Sequence, residues 1–396
     1  MPRAADAFRS RVIIAQNYCS PEKVLDAVSL GNETADRESR AALTIPFRRC
    51  IDAGGAVVGN LPDFAHDAAE VVSLYRAMVL TRVFDEKAIA LQRTGQLGTF
   101  ASSLGQEAVG VGVASAMRPE DVLLPSFREQ GAQLWRGVTP AELFLYWSGD
   151  ERGSNYSVPR EDFPVCIPVA SHAPHAAGVA LAFQLRREPR VAVCTFGDGA
   201  TSKGDFYEAI NVAALWKVPA VFIAINNQWA ISVPRRAQTA AQTLAHKAIA
   251  AGMPAEQVDG NDVMAVRETV SRAIAQARNG NGPMLIEALT YRLGDHTTAD
   301  DAHRYRSDKE VSARWKEDPV ARLRNYLTAS GHWSKDDEEN LLRECMRKVD
   351  ASASEAKSMP PASVETIFDY QFARVPADLA SQRDAAVRAT PESMDG

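Results

Sequence analysis

The sequence VAVCTFGDGATSKGDFYE at positions 191–208, continued by PAVFIAINN at 219–227, decides the fold. A short apolar run ends in Gly197-Asp198-Gly199, a helix-compatible segment follows, and a second apolar run ends in Asn226-Asn227. Strand, turn, helix and strand in that order predict a parallel sheet joined by right-handed crossovers. Both polar tips then lie at the carboxyl edge, where open α/β sheets place ligands. Asp198 and Asn227 are therefore expected to converge. A carboxylate and an amide oxygen suit a hard cation such as Mg2+, which completes its octahedron with water and phosphate oxygens. Gly197 and Gly199 would let a diphosphate approach the backbone, and the following helix start would offer free N–H groups to the same anion. Gly-Asp-Gly alone is an ordinary turn sequence. The Asn-Asn pair at the end of the next strand is what favours a site.

Other phosphate motifs do not fit. Gly199 and Gly204 have the glycine spacing of a Walker loop, but Asp205 and Phe206 stand where lysine and a hydroxyl residue are needed. Gly110 and Gly112 lack both the third glycine and the preceding strand of a dinucleotide fingerprint.

Working outward, further strands are expected at 191–196, 218–225 and 284–291, and helices at 68–94, 206–217 and 263–278. Positions 106–117 are rich in small residues, which suits close helix packing. Beyond position 302 the chain is charged and helical to 357, Pro360-Pro361 marks a break, and 364–386 is amphipathic. The expected organisation is an N-terminal arm at 1–65, a doubly wound α/β domain at 66–310 and a helical C-terminal extension at 311–396.

Composition limits the alternatives. The 396 residues are 46% hydrophobic and 24% charged with a net charge of −6, as in soluble globular proteins. No apolar run approaches the roughly 18 residues of a membrane helix. The acidic balance without a basic cluster excludes nucleic acid as the main partner. Five cysteines at wide spacing, with no Cys-x-x-Cys pair, point to a reducing cytoplasmic setting. The N-terminus has no secretory pattern, and Asp6 interrupts the acid-poor composition of a transit peptide, so a mitochondrial matrix location is the lesser reading.

The run at 197–232 resembles the thiamine-diphosphate motif, which begins Gly-Asp-Gly and ends Asn-Asn. From about position 61 to 386 the chain resembles the alpha subunit of the decarboxylating component of 2-oxo acid dehydrogenase complexes. Further matching segments are LPSFRE at 124–129, AAGVA at 176–180, VDGND at 258–262, YRLGDHTTADD at 291–301 and RYR at 304–306. The resemblance implies that Asp198, the Asn227 side chain and the Trp229 carbonyl hold Mg2+ on thiamine diphosphate. It implies backbone contacts from Gly199 and Ala200, aminopyrimidine contacts from Ile167 and Val169, and a grip on the diphosphate from Arg128. Phe127 departs from the family's usual tyrosine, and Ile225 stands where some branched-chain members carry arginine.

A lone histidine is more often structural, but within Gly-x-His-Thr the resemblance makes His296 the active-site histidine. Thr297 and Ser307 fall at positions that some relatives phosphorylate. His172 and His175 fall near the active-site entrance and read as structural. The implied partners are a beta subunit, which supplies the glutamate that activates the cofactor, in a heterotetramer of two alpha and two beta chains, and a lipoyl-bearing acyltransferase core. The implied activity is oxidative decarboxylation of a small 2-oxo acid, pyruvate first, with branched-chain 2-oxo acids or acetoin as the alternative. A diphosphate-binding scaffold without activity is the reading of another class, motivated by Phe127 alone.

Overall fold

A computed structural model describes residues 44–369 and 371–390. Its main sheet contains β1 (Phe47–Arg48), β2 (Val122–Leu124), β3 (Ala192–Gly197), β4 (Ala220–Asn226), β7 (Ala255–Asp259) and β8 (Met284–Leu289) in the order β1-β7-β8-β4-β3-β2. Every neighbouring pair is parallel. A small antiparallel hairpin, β5 (Trp229–Ala230) with β6 (Val233–Pro234), follows β4.

Side chains alternate across a strand, and here both faces are buried. Val193, Val221, Ile223, Ile225 and Ile286 pack with α1 (Ala68–Arg93), α2 (Glu107–Ser115) and α7 (Val263–Arg278). Ala192, Cys194, Phe196, Phe222 and Ala224 pack on the opposite face with α5 (His172–Arg186) and α6 (Gly204–Trp216). Two shorter helices, α3 (Gln130–Trp135) and α4 (Pro140–Ser148), lie between β2 and α5 in the chain. The doubly wound α/β architecture expected from the sequence is present. No helix among the described residues is long and apolar enough to cross a membrane.

The three long expected strands are present, and β1, β2 and β7 are additional. β7 reads Ala-Glu-Gln-Val-Asp, and its polar side chains are satisfied locally: Glu256 pairs with Arg48 and Arg272, and Gln257 donates to Glu287. That removes the apolar run by which a strand is read. The described part of the arm supplies β1, and Cys50 and Ile51 just beyond it are buried, their N–H groups donating to Asp262 at 2.7 and 2.8 Å. In the C-terminal stretch, α8 (Pro319–Ala329) and α9 (Lys335–Ser358) pack on α1. Tyr75 donates to Glu338 at 2.8 Å and its ring meets Trp333 edge-on. Residues 366–369 and 377–389 form two further helices without a buried residue.

The entry into α6 follows the expected turn, and the helix starts two residues earlier than expected. Gly-Asp-Gly opens a 3-10 turn, Asp198–Ser202, and the α-helix begins at Gly204. The N–H groups nearest β3 therefore belong to the turn.

Candidate active site

The carboxyl ends of β3, β4 and β8 open into a cavity of about 670 Å³. Phe127, Arg128, Ile167, Val169, Asp198, Gly199, Ala200, Asn227, Trp229 and His296, which come from five separate stretches of sequence, all line it. Thr297 lines it as well, whereas Ser307 caps a helix through its hydroxyl, which accepts from the Glu310 N–H.

At the β3 end, Asp198 is buried and its carboxylate accepts from Gln238 Nε2 at 2.8 Å. Burial raises its pKa, against hydrogen bonds from Gln238 and the backbone that lower it. Gly199 has no room for a side chain, because an added Cβ would lie 2.7 Å from the Ala230 Cβ. At the β4 end, the Asn227 amide nitrogen donates to Gln106 Oε1 at 3.1 Å and its oxygen accepts the Trp229 N–H at 3.2 Å. Left-handed backbone at non-glycine residues usually marks helix ends or functional sites. Among the described residues it occurs at five positions: Arg187 and Lys217 end helices, Ala170 and Ile231 line this cavity, and Gln228 lies between the lining residues Asn227 and Trp229.

Lys203 lines the cavity but is exposed and paired with Asp205 at 2.8 Å, and two buried guanidinium groups provide the remaining positive charge. Arg128 donates to the carbonyls of Ser102 and His296, the latter at 2.7 Å. Ser102 is held in turn by Asp85, which accepts from Ser102 and Ser103 at 2.6 to 2.9 Å. Arg292 is 1% exposed and donates to the carbonyls of Trp229 and Ile231 at 3.1 and 2.8 Å and to the Tyr305 hydroxyl at 3.0 Å. Every one of these acceptors is uncharged. Desolvation, reinforced by the neighbouring Arg292, lowers the Arg128 pKa to about 10. His296 sits between the two arginines, its Nδ1 3.2 Å from Arg128 and 3.3 Å from Arg292. Burial and the two cations lower its pKa to about 4.

Three buried polar atoms on the cavity wall have no protein partner: Gln106 Nε2, Arg292 Nε and His172 Nδ1. The first two are donors. His172 Nε2 lies 2.7 Å from the Thr195 carbonyl and donates to it, so Nδ1 is an acceptor. His175 is exposed and stacks loosely on Phe163. Unpartnered donors and cations, together with an acceptor and apolar residues on the same wall, suit a ligand with an anionic part and an N–H-bearing ring. Asp198, Asn227 Oδ1 and the Trp229 carbonyl, whose second lone pair remains after the bond from Arg292, form an all-oxygen donor set of the kind Mg2+ prefers. These residues fit thiamine diphosphate and Mg2+.

Arg292, Gln106 and His172 were not identified as ligand contacts from the sequence. Arg292 lies inside the matched segment at 291–301, but an arginine after a strand reads the same whether buried or solvated. Its role predicts that inorganic pyrophosphate raises the melting temperature of the chain by several degrees, since saturation at 100 Kd adds about 2.7 kcal/mol. Arg292→Met is expected to remove at least half of that rise in a thermal-shift titration, and an undiminished rise would exclude the arginine from anion binding.

A parallel doubly wound sheet with a polar cavity at its carboxyl edge defines an α/β protein that binds its ligand at the ends of the strands. Residues 75–365 match the family described as Dehydrogenase E1 component. The chain belongs to this thiamine-diphosphate-dependent family of 2-oxo acid dehydrogenases. The 3-methyl-2-oxobutanoate dehydrogenase subunit alpha of Mycobacterium tuberculosis is 43% identical over 312 residues, covering 78% of this chain and 85% of its own. The pyruvate dehydrogenase E1 component subunit alpha of Mycoplasma genitalium is 39% identical over 312 residues, 79% of this chain and 87% of its own. Its counterpart in Staphylococcus aureus is 38% identical over 360 residues, 90% and 95% respectively.

Proposed function

We propose that this chain is the alpha subunit of a cytoplasmic 2-oxo acid dehydrogenase component that decarboxylates pyruvate and transfers the acetyl group to a lipoyl group of an acyltransferase core. The observation that carries the reading is the convergence of ten residues from five separate stretches of sequence on one cavity at the carboxyl edge of the sheet. Bound thiamine diphosphate supplies the electron sink for loss of carbon dioxide. Asp198, Asn227 and the Trp229 carbonyl hold Mg2+, and Arg128 and Arg292 neutralise the diphosphate. The N–H groups of Gly199 and Ala200 complete that cradle. Ile167 and Val169 flank the aminopyrimidine ring, and His296 stands at the substrate side. Phe127 packs edge-on against His296 at 5.8 Å and supports that ring, but it lacks the phenol that would donate to a phosphate, which weakens cofactor binding modestly.

The mouth supports a two-chain site. Ile167 is 53% exposed and Val169 43%, an apolar rim that a beta subunit would cover in a heterotetramer of two alpha and two beta chains. Branched-chain 2-oxo acids are the second reading, favoured by the Mycobacterium tuberculosis relative named for 3-methyl-2-oxobutanoate. Ile225, which lines the cavity without a charge, weighs against it. The test is 2-oxo-acid-dependent ferricyanide reduction by the chain alone and co-purified with its beta partner, on pyruvate, 3-methyl-2-oxobutanoate and acetoin. Turnover only in the pair, greatest on pyruvate, is expected. Full turnover by the chain alone would sink the two-chain reading, and a preference for 3-methyl-2-oxobutanoate would transfer the substrate to the second.

A further inference from the structure

We infer that Gln106 is the positioning residue of the cation site: it selects which end of the Asn227 amide faces the metal and presents its own amide N–H to the anion. The inference rests on the reading of the cavity given above and goes beyond its assigned residues.

A carboxamide has two nearly isosteric ends, and a cation accepts only the oxygen. Asn227 directly follows β4, where nothing in its backbone decides between them. Two bonds decide. Its Nδ2 donates to Gln106 Oε1 at 3.1 Å, and its Oδ1 takes the Trp229 N–H at 3.2 Å, which turns the oxygen towards the hairpin that also carries the Trp229 carbonyl. The Trp229 contact lies two residues away in the same loop. Gln106 is the contact that ties the amide to the rest of the fold.

Gln106 is itself held in place. It is 5% exposed, and its N–H donates to the Ser103 carbonyl at 2.8 Å. Ser103 in turn gives both its N–H and its hydroxyl to the buried Asp85 carboxylate, at 2.6 and 2.9 Å. Just before Gln106, Gly105 adopts φ +88°, and a Cβ there would lie 2.6 Å from the Tyr291 carbonyl, so the turn has one shape. A rigid series therefore runs from the core carboxylate through the turn to the amide. With Oε1 committed to Asn227, the other end of the Gln106 amide is fixed as well. Nε2 is a buried donor without a protein partner, on a residue that lines the cavity. Buried donors are rarely left unpaired, and a phosphoryl oxygen beside the cation is the acceptor that the chemistry of this cavity supplies.

The test is calorimetric titration of thiamine diphosphate into the full chain with its beta partner at stepped Mg2+ concentrations. The readout is the Mg2+ concentration giving half-maximal cofactor binding. Gln106→Leu is expected to raise that midpoint about tenfold, as loss of a residue orienting a metal ligand typically does. In an Asn227→Asp background both ends of the side chain are oxygens, so orientation no longer matters and Gln106→Leu should shift the midpoint by less than about twofold. An unmoved midpoint in Gln106→Leu, or the same shift in both backgrounds, overturns the role of Gln106. Absence of Mg2+-dependent binding in the unaltered protein overturns instead the reading of the cavity, and this inference with it. Ligand-free melting temperatures identify a folding defect; if Gln106→Leu does not fold, Gln106→Met keeps the side-chain length and carries the same comparison.

Discussion

Asp198→Asn is expected to weaken Mg2+-dependent thiamine diphosphate binding by at least about a hundredfold while leaving the ligand-free chain as stable as before, or more stable, at neutral pH. Asp198 is the one carboxylate in the proposed donor set, and losing it removes both a ligand and the charge that attracts the cation. Its effect on the empty protein has the opposite sign. Burial raises the Asp198 pKa above the ordinary 3.8, so the folded protein binds its proton more tightly than the unfolded chain does. Such a group adds stability below the unfolded pKa and loses it as pH rises through the folded value. At neutral pH the ionised form is thus a burden on the empty fold, and the isosteric amide relieves it while keeping an oxygen for Gln238. Calorimetry for binding and thermal unfolding between pH 5 and 8 separate the two effects. Retained Mg2+-dependent binding in Asp198→Asn would remove Asp198 from the site, and a marked fall in melting temperature would give it a structural role instead.

The same residues show what was legible in the sequence. β3 and β4 were readable because a strand covered on both faces is apolar at every position, and their polar ends stand out against that background. The helix at 263–278 was readable because one of its faces is buried throughout. β7 was not, since its side chains are satisfied by charges on β1, α7 and β8. The turn after Gly197 was readable from Gly-Asp-Gly, but its 3-10 geometry was not, because the same residues fit several kinds of turn. The resemblance supplied the residues of the site that lie within motifs. Gln106 and Arg292 act through partners distant in sequence, Asn227 for one and Trp229 and Ile231 for the other, and an amide or guanidinium carries no sequence mark of what it will bond. His172 was assigned a structural role, and its bond to Thr195 is structural, yet the same bond fixes the tautomer that leaves Nδ1 as an acceptor in the cavity.

His296→Ala is expected to lower turnover of the complex by roughly a hundredfold to a thousandfold, the size typical of a lost transition-state hydrogen-bond donor. It should do so with no change in the acid limb of the pH profile. Both arginines donate towards His296 Nδ1, so that nitrogen accepts and the proton resides on Nε2. With its pKa lowered from 6.5 to about 4, the imidazole is neutral across the working range, and its Nε2–H is a donor for an oxygen that gains negative charge. A histidine of ordinary pKa at this position would be protonated below pH 6 and would add a third cation to the two arginines. The stability consequence follows the same sign: the folded protein takes up the proton less readily than the unfolded chain, so the contribution is complete above pH 6.5 and is lost as pH falls towards 4. Because the ring is partly exposed, solvent screening limits that loss to about 1–2 kcal/mol. His296→Ala should remove it, so the melting temperatures of variant and parent should move closer, or cross, between pH 6.5 and 4.5. Proton resonances of the ring provide the direct measurement. A flat titration above pH 5 agrees with a neutral donor held between two guanidinium groups, and an apparent pKa between 6 and 7 would show that the arginines do not control it and would make proton transfer the role to test.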